Sequence, residues 1–256
     1  MTRKASVRLA AIADLHCPRT PPGKWQSVFA RVTQDADILL LCGDLTDHGR
    51  PEEAHLLVQA LVAAAVTLPV IAVLGNHDYE AGEPEAVSQI LTAAGIHMLD
   101  GDACEIQGIG FAGVKGFGGG FGQASLQPWG EAAVKGFVEE AIGEALKLES
   151  ALAKLRTPQR IAVLHYAPIR DTVAGESAEI YPFLGSSRLE EPLNRFAVTA
   201  AFHGHAHQGR LEGRTTGGTA VYNVAAPVLE KVFPERPPFH LVEIGNTSEP
   251  VPAPGQ

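Results

Sequence analysis

Five stretches of the 256-residue sequence end an apolar run on side chains that can donate an electron pair: "AIADLHC", "LLLCGDLTD", "VLGNHD", "AVLHYAP" and "AFHGHAH". Their polar residues are Asp14 and His16, Asp44 and Asp47, Asn76 and His77, His165, and His205 and His207. A single histidine after a strand is most often a satisfied surface or core group. Five endings drawn from Asp, Asn and His, in a chain with 10 histidines, point instead to one shared site. A carboxylate stranded at the end of an interior strand is costly unless something pairs with it. Carboxylate, amide and imidazole donors together suit borderline divalent metals such as Mn, Fe, Co and Zn. All-oxygen sets suit Mg and Ca, and thiolate sets suit structural zinc.

Such residues need a scaffold that delivers five strand ends to one edge. Short runs rich in Val, Ile, Leu and Ala alternate with longer helix-compatible stretches, the pattern of α/β architecture. The expected strands are "VRLAAIA", "ILLLC", "VIAVL", "IGFAGV", "IAVLH", "VTAAFH", "TAVYNVA" and "FHLVEI". In open α/β sheets ligands collect at the carboxyl ends of strands, which is where the five motifs fall. Residues 51–66 open with Pro51, Glu52 and Glu53, a helix start. Across residues 131–155, Val134, Phe137, Val138, Ala141, Ile142, Ala145, Leu148, Leu152 and Leu155 recur at spacings of three and four, one apolar face of a long helix. Packing on a sheet is the first reading of that face; a lid or homodimer surface is the second. "GFGGGFG", residues 116–122, lacks the Lys-Ser/Thr ending of a phosphate loop and the dinucleotide spacing, and reads as a mobile connection near the site. Loops 17–30, 79–90 and 115–130, with the stretch "AGESAEIYPFLGSSRLEE", are expected to shape the pocket. Residues 246–256 read as a disordered tail, leaving 1–245 as one domain.

Composition narrows the partners. At 45% hydrophobic the chain can bury one large core. A formal charge of −9 disfavours a protein that holds duplex nucleic acid by its overall field. A small anionic substrate then needs a local positive charge, which a bound metal supplies. Cys17, Cys42 and Cys104 are scattered, without paired spacing, so neither a disulfide framework nor a zinc ribbon is expected and the compartment expected is a reducing cytoplasm. "MTRKASVRLAAIAD" is unlike a signal peptide, and no apolar run reaches the length of about 18 residues that a membrane span requires. Asn246 in "NTS" is formally a glycosylation acceptor and is read as a chance occurrence.

Taken in order, "DLH", "GD", "GNHD", "H" and "GHAH" resemble the blocks of the calcineurin-like metallophosphoesterase superfamily, from Asp14 to His207. The resemblance implies a four-layer αββα sandwich, two mixed central β-sheets flanked by helices, and a pair of divalent transition-metal ions (Mn, Fe or Zn). By that resemblance Asp14, His16 and His207 bind one metal, Asp44 bridges both, and Asn76, His165 and His205 complete the second. His77 would stand just outside the coordination sphere, with Asp47 as the acidic partner that orients it. Two divalent ions against Asp14, Asp44 and a bridging hydroxide would leave the site cationic and ready for phosphate. The implied reaction is attack of that hydroxide on phosphorus, with His77 assisting the leaving oxygen.

Departures from subfamilies narrow the substrate. Phosphoprotein phosphatases of the superfamily carry arginines in "GDxxDRG" and "RGNHE"; here those positions are His48 and Leu74, and Asp78 replaces Glu. Purple acid phosphatases place a tyrosine where Asp47 stands, and the repair-nuclease branch adds a capping domain and a long extension. "GDLTDHGRPEEA" is most similar to the branch of bacterial class III cyclic nucleotide phosphodiesterases. The implied substrate is a small-molecule or nucleotide phosphodiester. A phosphomonoesterase is the alternative; a non-catalytic protein-binding scaffold is the third reading, distinguished by loss of ligands that are all present here. Arg170 in "HYAPIRD" reads first as a solvated loop charge and second as a substrate contact; His203, His55 and His97 receive no role.

Overall fold

Residues 6–17 and 23–245 are described by the structure, a computed structural model. The expected tail 246–256, with Asn246, and part of the 17–30 loop lie outside the described residues. The first apolar run forms β1 (Ser6–Ile12), and a helix α1 (Lys24–Asp35) leads to β2 (Ile38–Cys42). Helix α2 (Pro51–Ala63), β3 (Val70–Val73), α3 (Pro84–Ala93) and β4 (His97–Met98) follow. The chain then crosses into β5 (Asp102–Ile106) and β6 (Ile109–Val114), and the long α4 (Ala132–Lys154) leads to β7 (Gln159–Leu164). Two short helices, α5 (Tyr181–Leu184) and α6 (Glu190–Arg195), precede β8 (Ala200–His203). The last elements are β9 (Glu212–Arg214), β10 (Ala220–Asn223), α7 (Ala226–Val232) and β11 (His240–Gly245).

These strands make two mixed sheets, in the orders β11-β1-β2-β3-β4 and β5-β6-β7-β8-β10-β9. In the first, β11 runs antiparallel to β1 and the remaining pairs are parallel; Leu9 pairs with Ile38 and Leu39 with Val70. Every residue of β2 and β3 is buried, as parallel strands covered on both faces must be. The sheets pack face to face through β2 on β7 and β3 on β6 and β7. Phe111, Val163 and Phe202 of the second sheet thereby share one core with Leu39 and Leu41 of the first. Phe29, Leu57 and Leu91 bring α1, α2 and α3 onto the outside of the first sheet. Leu148 and Leu152 of α4 and Leu193 of α6 cover Ala112, Val114 and Leu164 on the outside of the second. The implied four-layer αββα sandwich is therefore the observed fold. Each fully buried Leu or Phe contributes about 1.5–3 kcal/mol.

Several expectations change. Two stretches read as pocket loops, 17–30 and 79–90, contain the starts of α1 and α3, whose Trp25, Val28, Phe29 and Val32, and Val87 and Leu91, are buried at helical spacing. The glycine-rich segment is not a loose connection: residues 118–121 are buried, Gly119 donates to the carbonyl of Pro182 at 2.6 Å and Gly120 to that of Gly185 at 2.8 Å. Glu144, buried on the apolar face of α4, accepts from the Gly116 amide at 2.7 Å and fixes the start of that segment. The α4 face packs on β5, β6 and α6, the first of its two readings. Among the described residues no helix is long and apolar enough to cross a membrane.

Candidate metal centre

The five motifs meet at one end of the paired sheets. β1, β2, β3, β7 and β8 each stop just short of a chemistry-bearing residue, and the turns that follow hold one another. Asp14 donates its amide to the Gly43 carbonyl and His16 to that of Asp44, both at 3.0 Å. Close approach is possible only because small residues stand beside the ligands. A Cβ on Gly75 would collide with the Asp44 amide nitrogen and Oδ1, and one on Gly204 would collide with Asp14 Oδ2.

Three groups of ligand atoms converge to within 4.8 Å: Asp14, His16 and His207; His16, Asp44 and His77; and Asp44, His165 and His205. Asp44 faces two of them at once. Its Oδ1 lies 3.3 Å from His165 Nε2 and its Oδ2 lies 3.8 Å from His16 Nε2. Asn76 joins through Oδ1, 2.9 Å from His165 Nε2, and His207 Nε2 lies 2.8 Å from Asp14 Oδ1. All seven residues expected as metal ligands, together with His77 and Asp47, are thus in one neighbourhood.

The donor chemistry fits a cation. His165 Nδ1 sits 3.0 Å from the Cys42 carbonyl and must donate to it, which leaves Nε2 without a proton on the neutral ring. That nitrogen then faces Asn76 Oδ1 and Asp44 Oδ1, so three electron-pair donors point at one another. Burial pushes His165 well below its ordinary pKa, and burial likewise lowers His205, keeping both rings in the form that coordinates metals. His205 donates Nε2–H to the Phe183 carbonyl at 3.1 Å, which leaves Nδ1 as the nitrogen able to coordinate. Burial, with the carboxylates of Asp14 and Asp78 nearby, pushes the Asp44 carboxyl well above its ordinary value. A divalent ion would reverse that direction and hold Asp44 ionised.

Two expected roles are modified. His77 Nδ1 donates to the main-chain carbonyl of Asp47 at 2.8 Å, so it is Asp47's backbone that orients the ring. The Asp47 carboxylate lies 3.5 Å from His16 Nδ1 and from His48 Nε2, nearer a ligand than a dyad. His77 itself stands inside a convergent group, 4.5 Å ring to ring from His16. His203 is buried and holds Thr172 Oγ1 and the Gly204 carbonyl, each at 2.8 Å, while Arg170 is exposed with its guanidinium 5.7 Å from the Tyr181 ring.

Two residues named in the sequence without a role at the site help to build it. Asp78 is fully buried and accepts from the amides of Leu45 (3.2 Å), Thr46 (2.8 Å) and Gly75 (2.7 Å) and from the Thr46 hydroxyl (2.5 Å). It ties the turn after β2 to the turn after β3. Glu53, in the first turn of α2, accepts from Asp47 and His48 amides at 3.1 and 2.8 Å. The acidic start of α2 was legible; its grip on the loop before it was not.

Comparison with known proteins agrees with this fold. The structure is similar to phosphopantetheinyl hydrolase from Mycobacterium tuberculosis, with a TM-score of 0.65 and 15% identity over 98% of this chain and 99% of that one. It is also similar to TT1561 of Thermus thermophilus, with a TM-score of 0.58 and 16% identity over 88% and 91% of the chains. Purple acid phosphatase from yellow lupin seeds matches at a TM-score of 0.52 and 14% identity over 87% of this chain, but only 44% of its own. At these identities the likeness is one of fold. No curated protein matches the sequence. The family model described as calcineurin-like phosphoesterase matches residues 7–209, which contain every candidate ligand, and the chain belongs to that family.

Proposed function

We propose that this phosphoesterase is a phosphodiesterase that works with two divalent transition-metal ions on small-molecule or nucleotide phosphodiesters. The observation that carries the reading is the position of Asp44, one oxygen toward His165 and the other toward His16, between groups of donors that each suit one ion. When bound, such a pair of ions draws in the phosphoryl oxygens and lowers the pKa of a water toward neutrality. Asp14, His16 and His207 would hold one ion, Asn76, His165 and His205 the other, and Asp44 both.

His77 acts on the proton. Its Nδ1–H is committed to the Asp47 carbonyl, so Nε2 is the nitrogen that exchanges a proton or hydrogen bond with the leaving oxygen. Its amide donates to Asp44 Oδ1 at 2.9 Å, which couples the ring's position to the bridging carboxylate. The diester preference rests on the two positions where phosphoprotein phosphatases grip a more highly charged phosphate with arginine, occupied here by His48 and Leu74.

The test uses protein loaded with Mn²⁺, bis(4-nitrophenyl) phosphate and 4-nitrophenyl phosphate. Faster turnover of the diester supports the proposal, and the reverse order selects a phosphomonoesterase. Bound metal with turnover of neither overturns the proposed diester preference and points to a narrow substrate range or a binding scaffold.

A further inference from the structure

Lys115, the residue after β6, is a buried cation that the metal centre does not use. It is 8% exposed, and its ammonium carries three N–H groups but makes one hydrogen bond among the described residues, to the Gly116 carbonyl at 2.9 Å. Its nearest carboxylate oxygen there, on Glu140, is 3.8 Å away on a side chain that is itself 53% exposed, while the buried Glu144 acts on it only at longer range, its oxygens taken by the Gly116 amide and Lys147. Three rings surround it, with Nζ at 4.8 Å from the centroid of Phe117 and 5.4 Å from those of Tyr79 and Tyr166. Rings repay part of the loss of water around an ammonium, but two N–H groups remain to be satisfied.

Lys115 also lines a cavity of about 340 Å³. Leu74 and Tyr79, which bracket Asn76 and His77 in the chain, form the same wall, and Ser88, Gln89 and Thr92 of α3 line it with neutral polar groups. Of the acids in its lining, Asp100 is engaged by Lys147 at 3.0 Å and Asp102 by Lys154 at 3.6 Å, leaving Glu85. Lys115 itself is tied to the metal-site strands: its carbonyl accepts the amides of His165 and Tyr166 at 3.0 Å, and the Tyr166 ring lies 4.4 Å from that of His205.

We propose that Lys115 and this cavity form a subsite for a second anionic group of the substrate, a phosphate or carboxylate carried apart from the phosphorus that reacts. The ammonium supplies charge-assisted hydrogen bonds to that anion, and the cavity takes the organic part between the two charges. The inference rests on the phosphodiesterase reading above and names a feature of its substrate.

A matched pair of substrates tests it: thymidine 5′-(4-nitrophenyl phosphate) and the same compound bearing a 3′-phosphate. The Mn²⁺-loaded wild type should favour the second through a KM about tenfold lower, the size expected of a charge-assisted hydrogen bond. Lys115→Met should abolish the preference, raising KM for the 3′-phosphorylated substrate alone, and Lys115→Arg should keep most of it. Calorimetry provides a readout without turnover: thymidine 3′,5′-bisphosphate should bind the wild type more tightly than thymidine 5′-phosphate, and Lys115→Met equally. Equal losses on both substrates would overturn the proposal by making Lys115 a grip on the reacting phosphoryl group. A preference that survives in Lys115→Met, or is absent from the wild type, would overturn it as well. If neither substrate is turned over the phosphodiesterase reading fails, and the two binding titrations still decide whether the second anion is recognised.

Discussion

Asp14, His16, Asp44 and His205 adopt left-handed backbone, with φ of 60°, 43°, 49° and 69°. Among the described residues, only three other non-glycine positions do so, Ala65, Gln107 and Ala197. Each such residue costs about 1–3 kcal/mol and persists only where its surroundings over-determine it. Here the interlocked turns do so, and the strain aims carboxylates and imidazoles at one point. The identities of these residues were readable in the sequence because Asp, Asn and His interrupt apolar runs; their backbone state was not, because nothing in a residue type records a left-handed turn. The same limit explains Asp47, whose carbonyl rather than carboxylate meets His77: main-chain atoms leave no trace in a motif. His77→Ala should lower kcat by about 10²–10⁴-fold, the range for a lost proton-transfer group, while metal content and melting temperature stay close to wild type. Loss of metal in that variant would make His77 a ligand, in keeping with its place beside His16 and Asp44.

At the scale of elements, the site depends on Asp78 joining the ends of β2 and β3. Asp78→Ala strands three buried amides and the Thr46 hydroxyl, and should cost more than about 3 kcal/mol in denaturant unfolding and weaken metal binding together. A variant with wild-type stability and metal affinity would contradict that role. The eight expected strands are all present because each is a run of Val, Ile, Leu or Ala that a buried sheet requires. The missed strands β4, β5 and β9 have exposed or half-buried positions and include His97, Asp102, Glu105, Glu212 and Arg214, so no apolar run marked them. α1 and α3 were hidden for another reason: their buried residues are few and stand among polar ones, and only the helical spacing reveals them. The order of the glycine-rich segment is not legible locally, because its partners Pro182, Gly185 and Glu144 are distant in sequence.

For the whole molecule, the two sheets must stay closed for the strand ends to meet. His240 of β11 in one sheet lies 4.8 Å ring to ring from Tyr222 of β10 in the other. Burial, and then the charge of Arg236, push its pKa down to about 4. Below about pH 6.5 the unfolded ring takes up a proton that the folded ring refuses, so the stability His240 contributes is complete above that pH and is lost as pH falls toward 4. The upper limit is about 3 kcal/mol, less after allowance for the ring's partial exposure. Between pH 7.5 and 5, in chelator, the wild type should therefore lose about 1–2 kcal/mol more in urea unfolding than His240→Phe; parallel losses would contradict this. All of this scaffolding serves the gathering of donors around Asp44, and anomalous diffraction from Mn²⁺-loaded crystals tests that most directly. Two manganese peaks about 3.5–4 Å apart, with an oxygen of Asp44 between them, are predicted. No peak there, or manganese bound only elsewhere on the chain, would contradict the account.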